Sequence, residues 1–171
     1  MHNCNEDILD RGDLVDSDNE HEVEEASEDP ERYLEGLYYP ICIGEILVNQ
    51  YRIEHKLGHG GFSTVWMAYD MLGKTDVALK IMTPGRPGER EFEMQREIIN
   101  VVQPTSHLTL YQNTFSIRGS HSTHRVLVLP LQGPNLRDYQ RQKPVANRMS
   151  AAKQLLQAIK QLHDGGIVHG G

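Results

Sequence analysis

Leu57-Gly58-His59-Gly60-Gly61-Phe62-Ser63-Thr64-Val65-Trp66 is the stretch on which the reading of this chain turns. Gly58 and Gly60 flank one residue, a small and aromatic tip follows, and Val65 stands two positions past Ser63. That pattern predicts two β-strands joined by a loop too tight for side chains. Such a loop can lie directly on phosphates, because Gly58 and Gly60 carry no Cβ, can take dihedrals other residues avoid, and leave backbone N–H groups aimed at a ligand. Val65 on the second strand would then meet the face of a purine. A Gly-x-Gly alone is equally an ordinary hairpin turn. What narrows the reading is Val77-Ala78-Leu79-Lys80, an apolar strand carrying a lysine fifteen residues after Val65.

Working outward, residues 51–57 alternate loosely, 63–70 are β-branched and aromatic, and 76–82 are apolar around Lys80. With Gly73-Lys74 as a turn they predict a three-stranded antiparallel sheet. Pro84-Gly85-Arg86-Pro87-Gly88 breaks the third strand, and 89–102 reads as a helix with Phe92, Gln95, Arg96, Ile99 and Val102 at helical spacing and acids near its start. Residues 108–117 and 125–131 read as two more strands, the second apolar enough to be covered on both faces. Asn135 can cap a short helix through 143, ahead of Pro144. A longer helix begins at Asn147 or Ser150, repeats Ala151, Leu155, Ala158, Ile159 and Leu162, and stops at Gly165-Gly166.

The glycine-rich stretch and Lys80 resemble the nucleotide loop and third-strand lysine of eukaryotic protein kinases. Tyr39-Pro40-Ile41-Cys42-Ile43-Gly44-Glu45 running into Tyr51-Arg52-Ile53 is similar to the start of SR-protein-kinase-like serine/threonine kinases. The resemblance covers roughly residues 33–171. It implies an α+β fold: a kinase small lobe with a five-stranded antiparallel sheet and helix C, followed by helices D and E of an incomplete large lobe. It implies an ATP site formed by Leu57, Gly58, His59, Gly60, Gly61, Phe62, Ser63, Val65, Ala78, Lys80, Glu97, Leu129 and Leu131. Leu129 would be the gatekeeper, with backbone groups of Pro130 and Leu131 on the adenine edge. Ser63 replaces the family's third loop glycine. Glu97 would pair with Lys80; Glu91 and Glu93 lie on the same helix as alternatives, and the position of Glu97 ahead of Ile98-Ile99 favours it.

Composition sorts the chain into three parts. Of the 24 acidic and 17 basic residues, thirteen acids and one base (Arg11) lie in residues 1–31, so the net charge of −7 splits into −12 there and +5 in the remainder. Residues 1–32 are expected as a disordered acidic tail, with a short helical turn over 31–36. Residues 33–133 are expected as the small lobe and 134–171 as the beginning of the large lobe. Cys4 and Cys42 lack metal-ligand spacing and read as free thiols. The histidines are scattered without His-x-x-x-His pairing, which argues against zinc. The longest apolar runs are too short to span a membrane and the N-terminus does not resemble a secretory leader, so the cytosol or nucleus is expected, with no membrane and no direct nucleic-acid partner.

Gly165-Gly166-Ile167-Val168-His169-Gly170-Gly171 aligns with the family's catalytic loop. His169 resembles its structural histidine, and Gly171 stands where the family has the aspartate that receives the substrate proton. The resemblance implies phosphoryl transfer from Mg-ATP to serine in basic, Arg-Ser-rich proteins. The 171 residues hold neither that acid nor the family's metal ligands, so the other reading is a catalytically dead module, a pseudokinase-like fragment that binds nucleotide or a partner.

Overall fold

Strand alternation gives the sheet two unlike faces. In the computed structural model, which describes residues 28–120, 122–133 and 144–168, six strands pair antiparallel: β1 (Ile46–Leu47), β2 (Tyr51–Gly60), β3 (Ser63–Asp70), β4 (Thr75–Met82), β5 (Asn113–Arg118) and β6 (Thr123–Pro130). Their spatial order is β1-β2-β3-β4-β6-β5. The helices among the described residues are α1 (Glu31–Leu34), α2 (Arg86–Val101) and α3 (Val145–Asp164). The five expected strands are thus joined by a sixth, two-residue edge strand.

One sheet face holds the main core. Tyr51, Ile53, Trp66, Ala68, Val77, Leu79, Ile81, Ile117, Val126 and Val128 form one buried cluster with Leu47. In β4 the period of two puts Val77, Leu79 and Ile81 on this face and Ala78 and Lys80 on the other. Tyr39 and Ile41 lie across the cluster from outside the sheet, so the segment ahead of β1 seals the core. Glu28–Arg32, expected as part of the tail, belongs to this ordered part: Glu28 pairs with Lys56 and Arg32 donates to the Gly61 carbonyl. Charge composition counts only repulsion among neighbours and misses basic partners supplied by the sheet.

The β3–β4 turn is built by Asp70. Its Oδ1 accepts from the N–H of Leu72 and Gly73 and from Gln50 Nε2, each at 3.0 Å. The Gly73 N–H chiefly holds its carboxyl below the usual carboxylate range, against the opposing effect of burial and with help from Gln50 and Leu72.

Helix α2 begins at Arg86, three residues ahead of the expected start, because Pro87 sits in the first turn, where no helical hydrogen bond is lost. Gly85, at φ 87°, makes the corner. Strand β5 begins at Asn113 rather than 108, because Leu108 and Leu110 are used elsewhere: they pack against Ile98 and Val102 of the α2 end and Leu162 of α3. Helix α3 starts directly after Pro144, ahead of the expected Asn147 or Ser150, and ends at Gly165. It buries Ala158 and Leu162 and leaves Val145, Met149, Leu155 and Leu156 exposed. The helix expected at 135–143, His121, His169 and Gly171 lie outside the described residues.

Candidate functional site

The second sheet face is ordered in cross-strand rows. Gly58 pairs with Val65, Val65 with Lys80, and Lys80 with Leu127. In a neighbouring row Met67 pairs with Ala78 and Ala78 with Leu129. Directly paired residues project to the same face. The register therefore brings the glycine-rich strand, Val65, the small Ala78 and the lysine together.

A cleft of about 340 Å³ opens on this face, lined by Leu57, Val65, Ala78, Thr109, Leu129, Pro130, Leu131, Gln132 and Gly133. Five residues assigned from the sequence, Leu57, Val65, Ala78, Leu129 and Leu131, meet in its wall. They come from β2, β3, β4, β6 and the segment after β6. The volume lies in the range of small-molecule sites, and a mostly apolar wall with few polar groups suits a flat heteroaromatic ring. Thr109 was not foreseen; it reaches the cleft from the irregular segment ahead of β5, which carries no motif.

Beside the cleft, Lys80 Nζ donates to both carboxylate oxygens of Glu91 at 2.7 Å. The two side chains are about a quarter exposed. Gln95, buried one turn further along α2, donates from Nε2 to Glu91 Oε1 at 3.2 Å and accepts the Tyr111 N–H at 2.9 Å. At the start of the helix Glu89 takes two hydrogen bonds from Arg125 Nε, which ties α2 to β6. The helix thus holds Glu91 at the lysine through two independent anchors.

The glycine-rich turn closes β2 onto β3, with Gly60 opposite Ser63 and His59 opposite Thr64. Phe62 at its tip is exposed, whereas Ser63 and Thr64 are buried. A Cβ added at Gly58, Gly60 or Gly61 would meet no atom within 4 Å, and none of the three has positive φ.

No family model matches the chain. Individual relatives do. Over 164 residues, 86% of the chain, it is 35% identical to protein kinase dsk1 of Schizosaccharomyces pombe (strain 972 / ATCC 24843). Over 153 residues, 82% of the chain, it is 31% identical to SRSF protein kinase 3 of Mus musculus, and over 180 residues, 96%, it is 30% identical to serine/threonine-protein kinase spk-1 of Caenorhabditis briggsae. The chain belongs to the SR-protein-kinase-like family. It spans 30%, 27% and 15% of the length of those three relatives.

In this SR-protein-kinase-like lobe one expected site residue moves. The acid that meets Lys80 is Glu91; Glu97 is exposed. Six residues of helix turn a side chain by about 240° further round the axis, so Glu91 and Glu97 cannot share a face. The inward face runs through Glu91, Gln95, Ile98 and Val102, spaced by four, three and four. Of the stripe expected from the sequence, Phe92, Gln95, Arg96, Ile99 and Val102, only Gln95 and Val102 belong to this face. The expected reason for the loop glycines also changes, since Gly58 and Gly60 need no left-handed dihedral here.

Proposed function

We propose that this chain is the nucleotide-binding small lobe of a serine/threonine kinase, taking adenine into the apolar cleft and the phosphates of ATP against the turn at Gly58 to Gly61, with Lys80 as their cation. The observation that carries this is the set of three glycines. The chain gives no backbone reason and no packing reason for glycine at 58, 60 or 61. A reason outside the chain remains, and a ligand lying on the turn supplies it. Lys80, held by Glu91 at the end of the Gly58–Val65–Lys80 row, provides the positive charge at the place phosphates would reach. Among the described residues no three His, Cys, Asp or Glu side chains gather as a metal-holding group. A relative named serine/threonine-protein kinase spk-1 supports a protein serine or threonine as acceptor, and the family resemblance adds Arg-Ser-rich proteins as the substrate class.

Fluorescent ATP titrated into the wild type and into a Gly58→Ala, Gly60→Ala double variant tests the site. Because both Cβ positions are open, the variant's melting curve should be unchanged while ATP binding weakens about tenfold or more. Equal affinity in the two proteins would remove the phosphate role. A second reading, binding without transfer, rests on Gly171, which has no group to accept a hydroxyl proton. Phosphate incorporation into an Arg-Ser peptide that disappears with Lys80→Met would overturn it.

A further inference from the structure

The glycine-rich turn is held from behind. Tyr38, itself buried, donates its hydroxyl to the Gly60 carbonyl at 2.5 Å, and Arg32 Nη1 donates to the Gly61 carbonyl at 2.8 Å and to Tyr38 Oη at 2.9 Å. The Thr83 N–H takes the next carbonyl, that of Phe62, at 2.9 Å. Three successive turn carbonyls are therefore engaged by the chain. The segment that reaches them is fixed along its length: Lys56 donates to Glu28 and to Tyr33 Oη and lies over the Tyr33 and Trp66 rings, Tyr33 stands edge-on to Tyr38, and Ser122 donates to the Gly36 carbonyl. Burial alone would lower the Lys56 ammonium, yet its bonds to Glu28 and Tyr33 outweigh that and raise it.

In a trans peptide the C=O of one residue and the N–H of the next point in opposite directions. Holding the carbonyls of Gly60 and Gly61 toward residues 32 and 38 turns the N–H groups of Gly61 and Phe62 to the opposite side. We propose that Arg32 and Tyr38 are positioning residues of the nucleotide site, fixing the direction in which the glycine-rich turn presents its amides to phosphate. This rests on the reading of the cleft as a nucleotide site. Neither Arg32 nor Tyr38 lines the cleft; they act through the turn.

The test compares ATP with adenosine, which fills the same cleft and lacks phosphates. Affinities for both are measured on the full chain as wild type, Tyr38→Phe, Arg32→Met and Arg32→Lys, with melting curves alongside. Tyr38→Phe keeps the ring against Tyr33 and removes only the hydroxyl, so the fold is expected to hold. ATP binding should weaken about fivefold, the worth of one net hydrogen bond, with adenosine within about twofold. Arg32→Met should do the same, and Arg32→Lys should recover most of the loss. Parallel weakening of ATP and adenosine would mean that the segment only supports the lobe and would overturn the proposal, as would unchanged ATP affinity. A wild type that binds adenosine but not ATP overturns it too. Binding of neither ligand by the wild type removes the nucleotide reading itself, and the positioning role with it.

Discussion

Replacing Glu91 with Gln removes a charge and little volume, and the structure sets the size of the effect. At 2.7 Å between Lys80 Nζ and Glu91, an effective dielectric of about 20 gives a gross attraction of about 6 kcal/mol. Most of that offsets the removal of two ions from water, because each side chain is about three-quarters covered. Hydrogen bonds to charged groups leave a net contribution of about 1.5–3 kcal/mol, and the remaining solvent access places this pair near the lower end. For a domain of this size 1 kcal/mol moves the melting temperature by about 2–4 °C, so Glu91→Gln should lower it by about 3–6 °C. Glu97→Gln should leave it within about 2 °C. Circular dichroism melts of both variants, with Lys80→Met and the doubles Lys80→Met, Glu91→Gln and Lys80→Met, Glu97→Gln, close two cycles in which Lys80 and Glu91 couple and Lys80 and Glu97 do not. Destabilisation by Glu97→Gln equal to that by Glu91→Gln, or additive effects of Lys80→Met and Glu91→Gln, would refute the pairing.

Gly88→Ala should cost stability, against the usual gain from alanine inside a helix, because its Cβ would lie 2.3 Å from the Thr83 carbonyl oxygen and 2.9 Å from Met82 Cβ; urea unfolding should give a loss of about 2 kcal/mol. His124 supplies a pH dependence. It is buried, its Nδ1–H donates to the Met82 carbonyl at 3.1 Å, and Nε2 lies 3.2 Å from Ser122 Oγ, with the Tyr39 ring edge-on. Burial pushes its pKa below the ordinary 6.5, against a smaller opposite pull from the Met82 carbonyl. The unfolded chain then takes up the proton first, so the stabilisation is complete well above pH 6.5 and is lost as the pH falls below it, until the folded form protonates as well. The difference in unfolding free energy between wild type and His124→Gln, followed from pH 8 to 5, should shrink on acidification; a difference independent of pH would remove this role.

The parts legible in the sequence were those fixed by short-range pattern. The β-branched and aromatic run 63–70 and the apolar run 76–82 around Lys80 placed β3 and β4 almost to the residue, and with them the row that sets Val65 beside Lys80. Leu57, Ala78, Leu129 and Leu131 could be assigned to one wall because the family resemblance supplied the long-range register. What was missed depends on partners far along the chain. Whether Glu91 or Glu97 faces Lys80 is decided by the rotation of α2, which Gln95–Tyr111 and Glu89–Arg125 contacts hold. Strand β1 carried no hairpin signal, since its turn uses Val48 and Asn49 at φ 46° and 57° rather than glycine. Leu108 and Leu110 have strand-like spacing, but a helix pair claims them.

The two faces of the sheet also separate what selection can change. Trp66, Ala68, Val77, Leu79, Ile81, Val126 and Val128 hold the fold on one side, and Val65, Ala78 and Leu129, each next to one of them in sequence, line the cleft on the other. Because neighbours along a strand point to opposite faces, a substitution at Val65, Ala78 or Leu129 alters the cleft without entering the main core cluster. A descendant can therefore exchange one ligand for another, or abandon ligand binding altogether, and still inherit an intact lobe on which some later use can be built.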